Sequence, residues 1–192
     1  FFKIFGFEMK FVCRRSNLNW HLDLNEGIDF SIWLLGSFEP STIKFYKNNI
    51  FLGQTVIDVG ANIGAHTLHF GKLVGNEGMV YAFEPTDYAF EKLKSNVIIN
   101  SKIQGNIKLF QYMLVDKVNS KKPDSLYSSW PLGEKEDLHA LHRGKLMTTN
   151  NAVVKTLDLV VHELKIKKID FIKIDIDGFE TVMLNGSLNT IK

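Results

Sequence analysis

Four acids, Asp58, Glu84, Asp116 and Asp175, each stand within or just past a short apolar run. In a parallel α/β sheet ligands sit outside the carboxyl ends of the strands, so residues there can reach a ligand. The first acid opens the stretch DVGANIG at 58–64. Gly60, Ala61, Asn62 and Gly64 follow it, small residues and a turn former that clear the backbone for a close approach. Glu84, with Pro85 after it, comes 20 residues beyond Gly64. An acid at that distance past a glycine-rich first turn is placed to hold a nucleoside ribose, since its two oxygens can accept from two hydroxyls. The plainer reading is that each acid only caps the turn or helix after it, and it fits Asp116 best.

The type of nucleoside follows from what the loop lacks. A dinucleotide fingerprint, G-x-G-x-x-G, lays a pyrophosphate on a helix N-terminus. Here Asn62 occupies the place of the second glycine, and Asp58 precedes the first by two. A carboxylate beside that loop repels a pyrophosphate and suits a cation. S-adenosylmethionine carries a sulfonium and an ammonium and no phosphate, so it is the expected cofactor. An NAD(P)-dependent oxidoreductase is the enzyme alternative. A catalytically inactive nucleoside-binding module is the non-enzyme one.

The second cluster lies in FIKIDIDGFE at 171–180. Strand alternation sets Lys173, Asp175 and Asp177 on one face and Ile172, Ile174 and Ile176 on the other. A charged face on a central strand is costly unless it lines a site. Glu180 follows Asp177 by three, so an opening helix brings the two carboxylates together, and such a pair can raise one pKa toward that of a general base. Asp175 is the first candidate to take a proton from an acceptor, with Asp177 and Glu180 as alternates. The bland reading is a Lys173–Asp175 ion pair and two acids favouring a helix N-terminus.

Other residues point less sharply to chemistry. His139 and His142 are three apart, but no acid cluster with ligand spacing accompanies them, so no metal is expected. His66 is close enough to Gly64 to approach the site, although it and His69 read first as packed or surface histidines. Tyr127 and Trp130 can stack on a substrate or pin their loop to the core, and the second is preferred. Lys121 and Lys122 read as solvated charge.

These residues need strands and helices to position them. Thr55–Val59 and Met79–Phe83 are short apolar runs bounded by glycine or an acid, as buried strands are. Residues 107–115 are a third strand candidate and 169–175 a fourth. Residues 61–73 suit a helix. A second helix starts at Thr86 or Asp87 and carries Phe90, Leu93 and Val97, and a third is capped by Thr156. Upstream, KFVCR, WHLDL and IDFSIWLL read as β-like with a hairpin signal at 25–27, and Pro40 opens a short helix ending near Asn49. Residues 117–151 are too long and polar for an ordinary connection, so they form a lid or an insertion. Strands alternating with helices argue for a doubly wound, mostly parallel α/β sheet. Residues 1–50 are expected to be a β-rich extension with a short helix packed on the core, and 51–192 the cofactor-binding domain.

Composition narrows the classes. The chain has 192 residues, 45% hydrophobic, with a net charge of +2. One domain with a real core fits that length, and the charge gives no field for nucleic acid or an anionic membrane. No apolar run reaches the roughly 18–20 residues that span a bilayer. The opening FFKIFGFEMKFVCRR lacks a cleavage site and does not read as a signal peptide. Cys13 is the single cysteine, which fits a reducing, cytoplasmic compartment.

Taken together, DVGANIG, VYAFEP and FIKIDIDGFETVMLNGS resemble the FkbM-type methyltransferases, a branch of the class I S-adenosylmethionine-dependent enzymes. GSFEP at 36–40 is similar to a family segment ahead of the first strand. The resemblance covers roughly residues 36–187. It implies a Rossmann-like fold and S-adenosylmethionine as the methyl donor. It implies that Asp58, Gly60 and Gly64 frame the methionine part, that Glu84 holds the ribose, and that the stretch from Gln111 to Asp116 borders the adenine. The family block Lys-x-Asp-x-Glu-Gly is here Lys173-Ile-Asp175-Ile-Asp177-Gly178, so Asp177 is one methylene shorter. The expected acceptor is a hydroxyl of a small molecule, sugar or glycan, with no nucleic acid and no membrane span. The class I sheet has seven strands ordered 3-2-1-4-5-7-6. Four of them are expected here, with the C-terminal ones missing and the fourth strand as an open edge unless the N-terminal strands cover it.

Overall fold

The computed structural model describes residues 9–133, 138–139 and 143–192. In chain order the elements are β1 Lys10–Arg15, β2 Leu18–Asp23, α1 Gly27–Leu35, α2 Pro40–Asn49, β3 Thr55–Val59, α3 Thr67–Val74, β4 Met79–Phe83 and α4 Asp87–Ile98. Then come β5 Ile107–Phe110, β6 Tyr112–Leu114, β7 Ser125–Ser129, β8 Lys145–Thr148, β9 Val153–Lys155, α5 Leu157–Glu163, β10 Phe171–Ile174 and α6 Glu180–Asn185.

The central sheet runs β10-β3-β4-β5 with every pair parallel. This is the expected 3-2-1-4 order, and β10 is an edge. The N-terminal strands do not cover it: β1 pairs antiparallel with β2 in a separate sheet. Pleat alternation sends Val56, Val80 and Ala82 to one face and Ile57, Val59, Tyr81 and Phe83 to the other. The first face is covered by α3, α4 and the N-terminal elements, through Trp20, Ile32, Tyr46, Phe70 and Leu93. The second is covered from α5 and α6 by Leu157, Val160 and Met183. Each of these large side chains adds about 1.5–3 kcal/mol by leaving water.

Two asparagines of α4 fix the hairpin on the first layer. Asn96 Oδ1 accepts from the His21 N–H and Asn100 Oδ1 from the Asn19 N–H, both at 2.8 Å.

The structure corrects several expectations. IDFSIWLL is not a strand: it forms α1, which buries Asp29 and Ile32 and ends at Gly36 in the left-handed conformation (φ 85°). Its nearly unbroken apolar pattern suits either period, and the glycine C-cap decides for the helix. The helix after β3 starts at Thr67, not Ala61, because Gly60, Asn62 and Gly64 all have positive φ (75°, 48° and 92°). Residues 107–115 break into two strands, and β6 leaves the main sheet to pair with β9. The polar stretch 117–151 contains an antiparallel hairpin, β7–β8. Lys122, expected as solvated charge, donates to the Thr149, Asn150 and Ala152 carbonyls at the hairpin base. His142 and residues 1–8 of the opening stretch lie outside the described residues. Among the described residues no helix is long and apolar enough to cross a membrane.

Candidate active site

A cavity of about 670 Å³ lies at the carboxyl ends of β3, β4 and β10, roofed by the β7–β8 hairpin. Its floor is the turn after β3. At Gly60 a side chain is impossible, since a Cβ would lie 1.9 Å from the Asp175 carbonyl oxygen. The N–H groups of Gly60 and Ala61 both donate to the Phe83 carbonyl at 3.0 Å. The Asn62 N–H goes to Glu84, and that of Ile63 to the Asn62 side chain. Every one of these donors is engaged inside the chain, so the turn offers no ring of N–H groups to a phosphate.

Glu84 is buried at the end of β4. Its Oε2 accepts from the Asn62 N–H at 2.9 Å, and its Oε1 accepts from the Thr86 N–H at 2.9 Å and Oγ1 at 2.6 Å. Burial pushes its pKa up, against those hydrogen bonds and the Lys173 charge. Thr86 Oγ1 also lies 2.6 Å from Ser128 Oγ in β7, and Asn62 Nδ2 donates to the Ser128 carbonyl at 3.2 Å. The hairpin roof is therefore bonded to both loops that present Glu84.

Lys173 ties the sheet ends together. Its Nζ donates to the Gly60 carbonyl at 2.7 Å and the Val59 carbonyl at 3.3 Å. It forms ion pairs with Asp58 Oδ1 at 3.3 Å and Asp175 Oδ2 at 3.7 Å. Asp58 is 0% exposed and Thr67 Oγ1 donates to its Oδ2 at 2.6 Å. Asp58 thus stands under the floor rather than in the cavity wall, and acts on the turn through Lys173.

Of the candidate cofactor-binding and catalytic residues, Gly60, Ala61, Asn62, Glu84, Pro85, Lys173, Asp175 and Asp177 line the cavity, while Asp58, Gly64, Gln111, Asp116 and Glu180 do not. Gly64 is the close-packing point of the turn, where a Cβ would lie 2.9 Å from Leu93 Cδ1. Gln111 donates to Asp87 at 2.6 Å. Asp116 accepts from Ser120 at 2.7 Å, which holds its carboxyl below the usual range and matches the plainer capping reading. Glu180 does not pair with Asp177 to raise a pKa. It accepts from the Ile176 and Gly178 N–H groups of the turn ahead of α6, and backbone hydrogen bonds hold its carboxyl low.

Several wall residues had no local signal in the sequence. Ser128 and Leu126 reach the site only through the hairpin. Trp130 and Tyr127 line the cavity, and the Trp130 backbone is bonded to Glu26 and Gly27, which pins this part of the loop as the preferred reading expected. Phe38 and Glu39, from GSFEP, complete one side together with His66. His66 is buried at 5% exposure, with Nε2 3.7 Å from Glu39 Oε2. Burial, aided by the nearby Lys173 charge, pushes its pKa down.

The sequence profile of the Methyltransferase FkbM domain matches residues 58–192. The hexuronic acid methyltransferase AglP of Haloferax volcanii is 26% identical over 156 residues, which are 80% of this chain and 58% of that protein. The chain therefore spans less than two thirds of that relative. Among solved structures, TYW2 of M. jannaschii in complex with AdoMet aligns at a TM-score of 0.42 with 23% identity, over 54% of this chain and 43% of that one. An S-adenosylmethionine-dependent O-methyltransferase from Thermotoga maritima aligns at 0.40 with 18% identity, over 64% and 48%.

Proposed function

The chain belongs to the FkbM methyltransferase family, and we propose that it transfers a methyl group from S-adenosylmethionine to an oxygen of a sugar or glycan acceptor. One observation carries this. Glu84 is preset at the end of β4 beside a turn whose N–H groups are turned inward. That pairing fits a ribose next to a cationic group, and does not fit a pyrophosphate. An NAD(P) oxidoreductase is disfavoured for the same reason.

Glu84 would hold the ribose hydroxyls, and Gly60 and Ala61 would let the methionine part lie against the backbone. Bound there, S-adenosylmethionine supplies an electrophilic methyl carbon on sulfur. The chain's task is positioning: holding acceptor and donor in line and dry is worth roughly 7–11 kcal/mol. The hairpin excludes water from above, and Lys173 fixes the floor. We assign residues 51–192 to this donor-binding unit. We assign residues 1–50 to an extension, of which Ile28, Phe38 and Glu39 form part of one wall. The name of the Haloferax relative and the aromatic residues of the wall support a sugar acceptor. Cys13, the single cysteine and free, supports a cytoplasmic setting.

The test is calorimetric binding of S-adenosylmethionine, followed by radiolabelled methyl transfer into a panel of hexuronic acid glycosides, neutral glycosides and RNA. Binding with label in the glycosides is expected. No binding, or label in RNA alone, overturns the proposal.

A further inference from the structure

We propose that the cavity selects a neutral, hydroxyl-rich sugar over a hexuronic acid as methyl acceptor, with Asp175 and Asp177 reading the difference; this rests on the methyl-transfer reading of the cavity. The charges of the wall carry it. Among the described residues, the charged side chains of the wall are Glu39, Glu84, Asp175, Asp177 and Lys173. Lys173 is already matched. An ammonium has three hydrogens to give. Its Nζ has the Gly60 carbonyl at 2.7 Å, the Val59 carbonyl at 3.3 Å, and the Asp58 and Asp175 carboxylates at 3.3 and 3.7 Å. His66 adds no second cation, because burial and the Lys173 charge push its pKa down and keep the ring neutral near pH 7. A sugar carboxylate therefore finds no counter-ion among the described wall residues.

The turn after β10 holds the two aspartates in place. The Asp175 N–H donates to the Val59 carbonyl at 3.1 Å, and its own carbonyl packs where a Gly60 Cβ would otherwise stand. Asp177 and Gly178 follow with φ of 45° and 93°. Glu180 Oε1 clamps this turn, accepting from the Ile176 and Gly178 N–H groups at 3.3 and 3.2 Å. A residue with a side chain keeps a left-handed conformation where its surroundings over-determine it, and such residues cluster at ligand sites. Both aspartates line the cavity yet remain exposed, so a ligand can reach them: the Asp175 side chain is 62% exposed.

Ionised carboxylates accept hydrogen bonds and give none. Facing a neutral sugar, they take hydroxyl hydrogens in charge-assisted bonds. Facing a carboxylated sugar, they meet like charge, at a cost that water and salt reduce but do not remove. Phe38, Tyr127, Trp130 and Phe179 line the same cavity and offer apolar faces to the C–H faces of a pyranose. Selection here comes from repelling the wrong acceptor as well as from bonding the right one.

The test uses the full chain, saturating S-adenosylmethionine, and matched 4-nitrophenyl glycosides and uronides of gluco and galacto configuration. In the better-used pair, kcat/KM for the neutral glycoside should exceed that for its uronide at least about tenfold at about 20 mM salt, and the gap should narrow at about 0.5 M. Asp177→Asn, which suits the left-handed backbone, and Asp175→Asn should each narrow it about three- to tenfold. The KM of the uronide should fall while that of the neutral glycoside stays or rises, a split that general damage to the fold does not produce. Donor affinity by calorimetry should stay within about threefold. Glu77→Gln removes the same charge from an exposed position ahead of the amino end of β4, and should leave the gap within about twofold. A uronide used as well as its neutral partner, or better, overturns the proposal. So does a gap that neither aspartate variant moves, or that Glu77→Gln moves as far. Donor binding without transfer to any of these sugars also overturns it, and leaves the donor site standing. Failure of the wild type to bind donor would instead overturn the methyltransferase reading.

Discussion

The Asn62 N–H and Glu84 Oε2 lie 2.9 Å apart, joining the turn after β3 to the end of β4. With Thr86 on the other oxygen, three donors hold the carboxylate before any ribose approaches. Glutamine at 84 cannot accept at both oxygens, so its amide would face either the Asn62 or the Thr86 N–H, donor against donor. Glu84→Gln should weaken S-adenosylmethionine binding about 10- to 100-fold, in line with roughly 1.5–3 kcal/mol for a hydrogen bond to a charged group. Titration calorimetry decides it, and an affinity within about twofold of wild type removes Glu84 from the site.

Gly60 combines a φ of 75° with a Cβ position 1.9 Å from the Asp175 carbonyl. Gly60→Ala should therefore cost about 3 kcal/mol or more, from the strained backbone plus the clash with β10's end. A denaturant melt superimposable on wild type would mean that the turn and β10 are not in this register.

Lys173 and Asp58 form a buried ion pair, and breaking one partner of such a pair is worse than removing both. Lys173→Met should destabilise by about 3–5 kcal/mol, and adding Asp58→Asn should restore part of it. Strictly additive urea midpoints for the two changes would show that Asp58 draws nothing from Lys173.

How much was legible depends on range. β3 and β4 were placed residue for residue, because buried runs bounded by glycine and an acid have no rival pattern. The link from Gly64 to Glu84 was visible as spacing alone. IDFSIWLL misled because nearly all of it is apolar, and only packing and Gly36 choose the helix. Asp58 was expected to face the cofactor beside the turn, and nothing in the sequence says that Lys173, 115 positions on, covers it. Ser128 and Trp130 reach Asn62 and Glu26 across 66 and 104 residues, and no local period carries such contacts.

That long-range clasp is itself testable. Glu26 accepts from Ser129 Oγ at 2.8 Å and the Trp130 N–H at 3.1 Å, fastening the hairpin roof to the start of α1. Glu26→Ala should speed amide exchange about tenfold in residues 125–129 and 145–148, while core amides of β3 and β4 stay as they are. Unchanged exchange in the hairpin would show that the roof is held by Ser128 and the base contacts instead.

Mild acid should also bear on stability, and His69 makes a contribution of definite sign. It is buried against Trp20 with Nε2 unpartnered, and burial, with the charges of His66, Lys47 and Lys72, pushes its pKa from 6.5 down to about 4. Between those values the unfolded chain holds the proton and the folded chain does not. Acidification through that window therefore favours unfolding, by up to about 3 kcal/mol at its lower end, and the loss levels off below about pH 4. His66, also pushed down, adds with the same sign. Glu84 and Asp29 oppose it, because burial pushes both carboxyls up and makes the folded state the better proton binder above their ordinary range. The net slope thus mixes signs, and the informative comparison is between variants. His69→Gln should lose less stability than wild type between about pH 7 and 4.5 in urea titrations, since its side chain has no proton to gain. Equal losses in the two proteins would mean that His69 reaches water in the folded chain.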